Sequence, residues 1–135
     1  MRGLVDGVAH VIFIETILDT LNAKAAAFEY LEFFEETKIP KLPLMISGTL
    51  IDNADRTLSW EAAEAFYISM MNDEPLCIKL NCALVADLML TIIKRLFKIS
   101  KIYIHAYYNT GLPNEMEGYD QTTEEKFTEL IKDFA

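Results

Sequence analysis

Four times along this chain, a short run of β-branched and aromatic residues gives way to a stretch whose apolar positions recur at helical spacing. Val11-Ile12-Phe13-Ile14 opens the first unit and ends at Glu15. A helix follows, capped by Asp19 or Thr20, whose side-chain oxygens can accept the orphan amides of a first turn. Ala23, Ala27, Tyr30, Leu31 and Phe34 form its apolar stripe, and Asn22, Glu29, Glu32 and Glu36 face away. At that spacing the glutamates read as a solvated helix face. Lys38 to Pro43 punctuates the chain before the second strand, Leu44–Thr49. A polar turn through Asp52, Asn53 and Asp55 leads to a helix capped by Ser59, with Ala63, Phe66, Tyr67 and Met70 on its apolar side.

The third strand runs from Leu76 to Cys82, and its helix turns Met89, Ile92, Ile93 and Leu96 inward and Asp87, Lys94, Arg95 and Lys98 outward. Ile102 to Ala106 is the fourth strand. A long loop from Tyr107 to Gln121 then leads to a last helix, opened by a capping box of Thr122 and Glu125 and striped by Phe127, Leu130, Ile131 and Phe134. Met1 to Ala9 has the pattern of the tail of an earlier helix, broken at Gly7. Strands apolar throughout, each followed by a helix, predict an α/β fold with a parallel sheet and helices packed on it. A doubly wound sheet and part of a βα barrel both satisfy that pattern. No G-x-G-x-x-G or Walker motif is present to favour the first, and polar loops after every strand are where a barrel keeps its site.

Composition narrows the class. A chain of 135 residues, 52% hydrophobic and 24% charged, has room for one globular core, so residues 1–135 are read as a single unit. A net charge of -9 argues against nucleic acid, which calls for a basic stripe, and against anionic membranes. No apolar run is long enough to span a bilayer, and Arg2 and Asp6 interrupt any signal-peptide core. Two cysteines without an export signal suggest free thiols in a reducing, cytoplasmic setting.

The stretch from Glu74 to Leu84 carries the chemistry most directly. A buried parallel strand delivers Cys82 at its carboxyl end, where the βα loops of such proteins gather ligands. A thiol there is a candidate nucleophile or soft metal ligand, and alternatively a small buried hydrophobe. Cys77, five positions earlier, points to the opposite face of a regular strand and reads as core packing. His105, near the end of the fourth strand, is either a metal ligand or a satisfied histidine under a loop. His10 reads as a connector residue ahead of the first strand.

Several segments, in order along nearly the whole chain, resemble one family. Ile14 to Ala26, Ile46-Ser47-Gly48-Thr49, Arg56-Thr57-Leu58-Ser59, Asn81-Cys82-Ala83-Leu84, Asn109, Gly111 to Asn114 and Gly118-Tyr119-Asp120 are similar to the homocysteine-binding domain of cobalamin-dependent methionine synthases. That resemblance implies a partial βα barrel, roughly half of eight units: the middle and later ones. It also implies a zinc-dependent transferase that activates homocysteine as a thiolate for methylation to methionine. On that resemblance Cys82 is one zinc ligand, Glu15 binds the ammonium group of the substrate, and Asn81 with the Gly111 to Asn114 loop shapes the mouth of the site. The family's other two zinc ligands form an adjacent Cys–Cys pair, which this chain does not contain.

The chain also departs from the family pattern. Trp60-Glu61 stand where the family has Gly-Gln, Asp55 replaces a turn glycine, Tyr108 replaces a proline, and Lys79 and Val85 replace the glycines that flank the cysteine motif. Lys79 matters most, because a strand covered on both sides buries it, and an unpaired ammonium there is costly unless its stem snorkels to a sheet edge. Two readings stay open: a homocysteine methyltransferase segment that is catalytic when the rest of the barrel is supplied, or a non-catalytic remnant that is inert or binds another chain. Half a barrel leaves sheet edges open, so self-association or pairing with a complementary barrel half is expected.

Overall fold

A computed structural model describes residues 1–49, 62–109, 111–113, 119–121 and 123–132. A short helix α1 (Arg2–Asp6), ended by Gly7, leads into β1 (Ile12–Ile17). Helix α2 (Thr20–Thr37) follows, its N-terminus capped by Asp19, whose carboxylate accepts the backbone N–H of Asn22 at 2.9 Å. Then come β2 (Leu44–Thr49), α3 (Ala63–Met70), a 3₁₀ turn (Met71–Asp73), β3 (Cys77–Val85), α4 (Ala86–Ile99) and β4 (Tyr103–Asn109). A small antiparallel ribbon, β5 (Gly111–Pro113) with β6 (Tyr119–Gln121), precedes α5 (Glu124–Lys132).

The strands β1 to β4 are parallel and lie in sequence order. Sequential order has no point at which the winding reverses, so the doubly wound alternative does not apply. The result is an open α/β sheet of consecutive βα units, as in part of a βα barrel.

The two faces of this sheet differ. Register aligns Ile12 with Leu44, Ile46 with Ile78 and Ile104, and Leu80 with Gly48 and Ala106. These residues share one face, and Ile12, Leu44, Ile46, Ile78 and Leu80 are buried there. Against them lie Ala23, Tyr30 and Phe34 of α2, Phe66, Tyr67 and Met70 of α3, and Met89, Ile92 and Leu96 of α4. The opposite face carries Phe13, Glu15, Met45, Ser47, Thr49, Cys77, Lys79, Asn81, Tyr103, His105 and Tyr107. Strands that look uniformly apolar in sequence therefore alternate in fact, because α2, α3 and α4 all cover one side.

Most of the sequence reading survives, with adjustments at the element ends. The stripes on α2, α3 and α4 are buried as the helical spacing requires, except that Leu31 of α2 is only half-buried at the margin of the core. Helix α3 starts at Ala63 with Ala62 at its N-cap and no side-chain cap, so the expected cap at Ser59 falls outside the described residues, as does the turn through Asp52, Asn53 and Asp55. The expected loop from Tyr107 instead continues β4 to Asn109 and then forms the β5–β6 ribbon. Thr122 of the capping box and Phe134 of the last stripe also lie outside the described residues.

One glycine fixes how close α3 comes to the sheet. A Cβ at Gly48 would stand 2.8 Å from Cε1 of Phe66, a side chain with no room to retreat because it is fully buried. Gly48→Ala is expected to destabilise the fold by about 1–3 kcal/mol through overpacking. Gly3→Ala, whose added Cβ meets nothing, leaves stability within about 0.5 kcal/mol. Urea denaturation of the two variants checks the contrast.

Candidate functional site

The polar face is built around a break in β1. Ile14 pairs with Ile46 and Ile17 with Gly48, so Glu15 and Thr16 together oppose the single residue Ser47. This is a β-bulge, and it keeps Ile17 on the helix-covered side although it lies an odd three positions on from Ile14. Thr16 takes the strain, with a φ of 59°, a left-handed conformation unusual for a β-branched residue. Its hydroxyl Oγ1 accepts a hydrogen bond from Nδ2 of Asn81 at 3.2 Å, which ties the bulge to β3.

Lys79 sits at the centre of this face. It is level with Ser47 on β2 and His105 on β4, so β3 is an interior strand and the lysine has no sheet edge to escape to. Its stem reaches across β2, and its Nζ donates to Oε1 of Glu15 on β1 at 2.7 Å. The ammonium also lies over two aromatic rings, 4.8 Å from the centroid of Phe13 and 5.0 Å from that of Tyr107. The buried ammonium that the sequence warned of is thus paired, and its partner is the carboxylate assigned to substrate.

Around this pair the interior strands are buried and the flanking strands open to solvent. Ser47 and Thr49 are buried, and neither hydroxyl has a hydrogen-bond partner among the described residues. Asn81 is buried at the level of Thr49 and Tyr107. Tyr103, His105 and Tyr107 are exposed along β4. His105 is therefore not tucked under a loop. Its imidazole is held below its usual pKa, first by partial desolvation and then by the positive charge of Lys79. Burial pushes the Cys77 thiol up, and the backbone N–H of His105 and the Lys79 charge only partly offset that. A buried, protonated thiol is inert as nucleophile or ligand, in line with the packing role expected of Cys77.

The sequence-derived site residues come together in part. Glu15 and Asn81 share the polar face, linked through Lys79 and Thr16 respectively. Cys82 follows Asn81 directly in β3, at the point where the ladder with β4 shifts register between Asn81 and Val85. Pleat counting from Cys77 does not carry across that shift, and the Cys82 side chain lies outside the described residues. Asn114 lies outside them too, while Gly111–Pro113 forms β5. Among the described residues no group of three His, Cys, Asp or Glu side chains could hold a metal ion. A catalytic zinc needs three protein ligands, and the described residues alone do not supply them. His10 is an exposed bend residue ahead of β1, as expected of a connector. Phe13, Thr16, Ser47 and Tyr107 were not singled out from sequence. Alternation about Lys79 would have placed Ser47 and Tyr107 beside it only once the register was known.

An open parallel sheet in sequence order, with helices on one face and polar groups on the other, is the arrangement found in part of a βα barrel. A family model for homocysteine S-methyltransferase matches residues 1–135, and the chain belongs to that family. No described helix is long and apolar enough to cross a membrane.

The ion pair is lopsided, since the Lys79 side chain is 7% exposed and that of Glu15 47%. Removing the acid strands a buried ammonium, whereas removing the base leaves a carboxylate that water can solvate. Glu15→Gln is expected to cost about 3 kcal/mol and Lys79→Met less than about 1 kcal/mol, measured by chemical denaturation. His105 makes a second prediction. Its folded pKa lies below the ordinary 6.5, so its contribution to stability is complete above that value and is lost as pH falls through the folded value. Stability should therefore drop below pH 6.5, and His105→Gln should flatten that part of the profile. In Lys79→Met the His105 pKa, followed by NMR, should move up.

Proposed function

We propose that this chain is a segment of a homocysteine S-methyltransferase of the methionine synthase type, forming half of a barrel that is complete only with further strands. In the completed site Glu15 takes the amino group of homocysteine, Asn81 lines the pocket, and Cys82 supplies one of three zinc thiolates. When bound there, zinc keeps the substrate sulfur as a thiolate at neutral pH. The thiol proton leaves to solvent, the thiolate sulfur attacks the methyl carbon of a bound methyl donor, and the donor–methyl bond breaks with its electron pair going to the demethylated donor as methionine forms. The remaining zinc ligands come from outside this chain, whose only cysteines are Cys77 and Cys82. A cytoplasmic setting suits the chemistry because Cys82 must stay reduced. The observation that carries this reading is the convergence of Glu15 and Asn81 on one polar sheet face, with Cys82 next in β3.

A second reading, a non-catalytic member of the family that acts by association, is favoured by one contact: Glu15 already holds an ammonium, that of Lys79. Metal analysis separates the two. The chain alone should retain well under one zinc per molecule. Co-expressed with a family segment bearing the missing strands and the Cys–Cys pair, it should retain one zinc per complex and methylate homocysteine. Cys82→Ala should abolish both. A complex without zinc, or with zinc indifferent to Cys82→Ala, rejects the catalytic reading.

A further inference from the structure

The groups that surround the Lys79 amine are those that recognise a primary ammonium wherever one is bound. Glu15 supplies a carboxylate oxygen at 2.7 Å, and Phe13 and Tyr107 present ring faces whose centroids lie 4.8 Å and 5.0 Å away. A carboxylate neutralises the charge, and aromatic faces attract it through their quadrupoles while excluding water. Phe13 and Glu15 stand two apart on β1, on the same side of the strand, and Tyr107 comes from β4 at the far edge of the sheet. The receptor therefore closes over the two interior strands from both sides. Tyr107 is 61% exposed and the Glu15 side chain 47%, so the receptor is open towards solvent. Only its occupant arrives from within.

We propose that Phe13, Glu15 and Tyr107 form a receptor for a primary alkylammonium group, that Lys79 is its tethered occupant, and that Lys79 thereby determines what the site accepts. A side chain rooted two strands away in the same sheet presents its amine at an effective concentration on the order of millimolar or higher. An amino acid in free solution has to outcompete that amine for Glu15, and it loses unless its other contacts compensate. The inference deepens the proposed function, resting on Glu15 as the acceptor of an amino group, and makes Lys79 its specificity-determining residue. Ser47 and Thr49, buried hydroxyls with no partner among the described residues, lie at the same levels of the face as Lys79 and Asn81. They are available to a ligand that enters when the lysine is gone.

The test uses n-butylammonium chloride, which carries the end of a lysine side chain and no thiol or carboxylate. Thermal unfolding is followed for the native chain, Lys79→Ala and Lys79→Ala/Glu15→Gln, with sodium chloride at matched ionic strength as reference. A saturable rise in Tm of Lys79→Ala is expected at millimolar probe. The native chain should show no response beyond the salt reference, and the double variant at least fivefold weaker binding. Equal responses in all three proteins, or none in a folded Lys79→Ala, overturn the proposal. Should Lys79→Ala not fold, amine acylation of the native chain decides, read residue by residue by mass spectrometry. Lys79 should react at least tenfold more slowly than the exposed Lys98, and Glu15→Gln should accelerate it at least threefold. A Lys79 as fast as Lys98, or one unaffected by Glu15→Gln, overturns the proposal. The zinc experiment has no bearing on either outcome. Butylammonium binding that L-homocysteine does not compete with preserves the receptor and removes only the amino-acid assignment of Glu15.

Discussion

A lysine rooted in the middle of an interior strand cannot reach water sideways, and the strands on either side of β3 close both routes. Its charge has to be met on the face itself, and Glu15 meets it from two strands away. That contact links β1 to β3 across β2 by side chains, in addition to the backbone ladders that join neighbours. It also fixes the character of the whole face. With an ammonium at its centre, the face arranges acceptors and aromatic rings around it and leaves the apolar packing to the other side.

The bulge in β1 lies directly beside the contact. Without an extra residue, the strand could not bring both Ile14 and Ile17 to the helix side, and the pattern of apolar positions demands both. The price of that accommodation is a left-handed Thr16, a cost of about 1–3 kcal/mol met locally by its hydrogen bond from Asn81. Core packing on one side of the sheet thus dictates the backbone geometry next to Glu15 and the hydrogen bond of Thr16 on the other. Stability and site geometry are coupled through two adjacent residues.

Membership of the homocysteine S-methyltransferase family gives these contacts their meaning. The scaffold is retained: consecutive parallel strands, helices on the outer face, and polar groups where a barrel interior would be. At the centre of the polar face the amine of Lys79 takes the carboxylate of Glu15.

Much of this was written in local sequence. The second strand is Leu44–Thr49 in both readings, and the stripes through Ala23 and Phe34, Phe66 and Met70, and Ile92 and Leu96 are buried as their spacing requires. Those features depend on periods of 2 and 3.6 residues, which the chain carries within each segment. The motif around Cys82 and the acid Glu15 also stood out, because residue identity alone marks them. Register was not legible, nor was the fact that α2, α3 and α4 all pack on one face, since both are properties of pairs of distant segments. The bulge at Glu15 and Thr16 and the strand pairing that sets Lys79 opposite Ser47 arise only when β1, β2 and β3 align. Sequence could say that Lys79 would be buried and that burial would be costly. Only the tertiary structure could decide that the charge is met, because its partner lies 64 residues away and is brought within 2.7 Å by strand order alone.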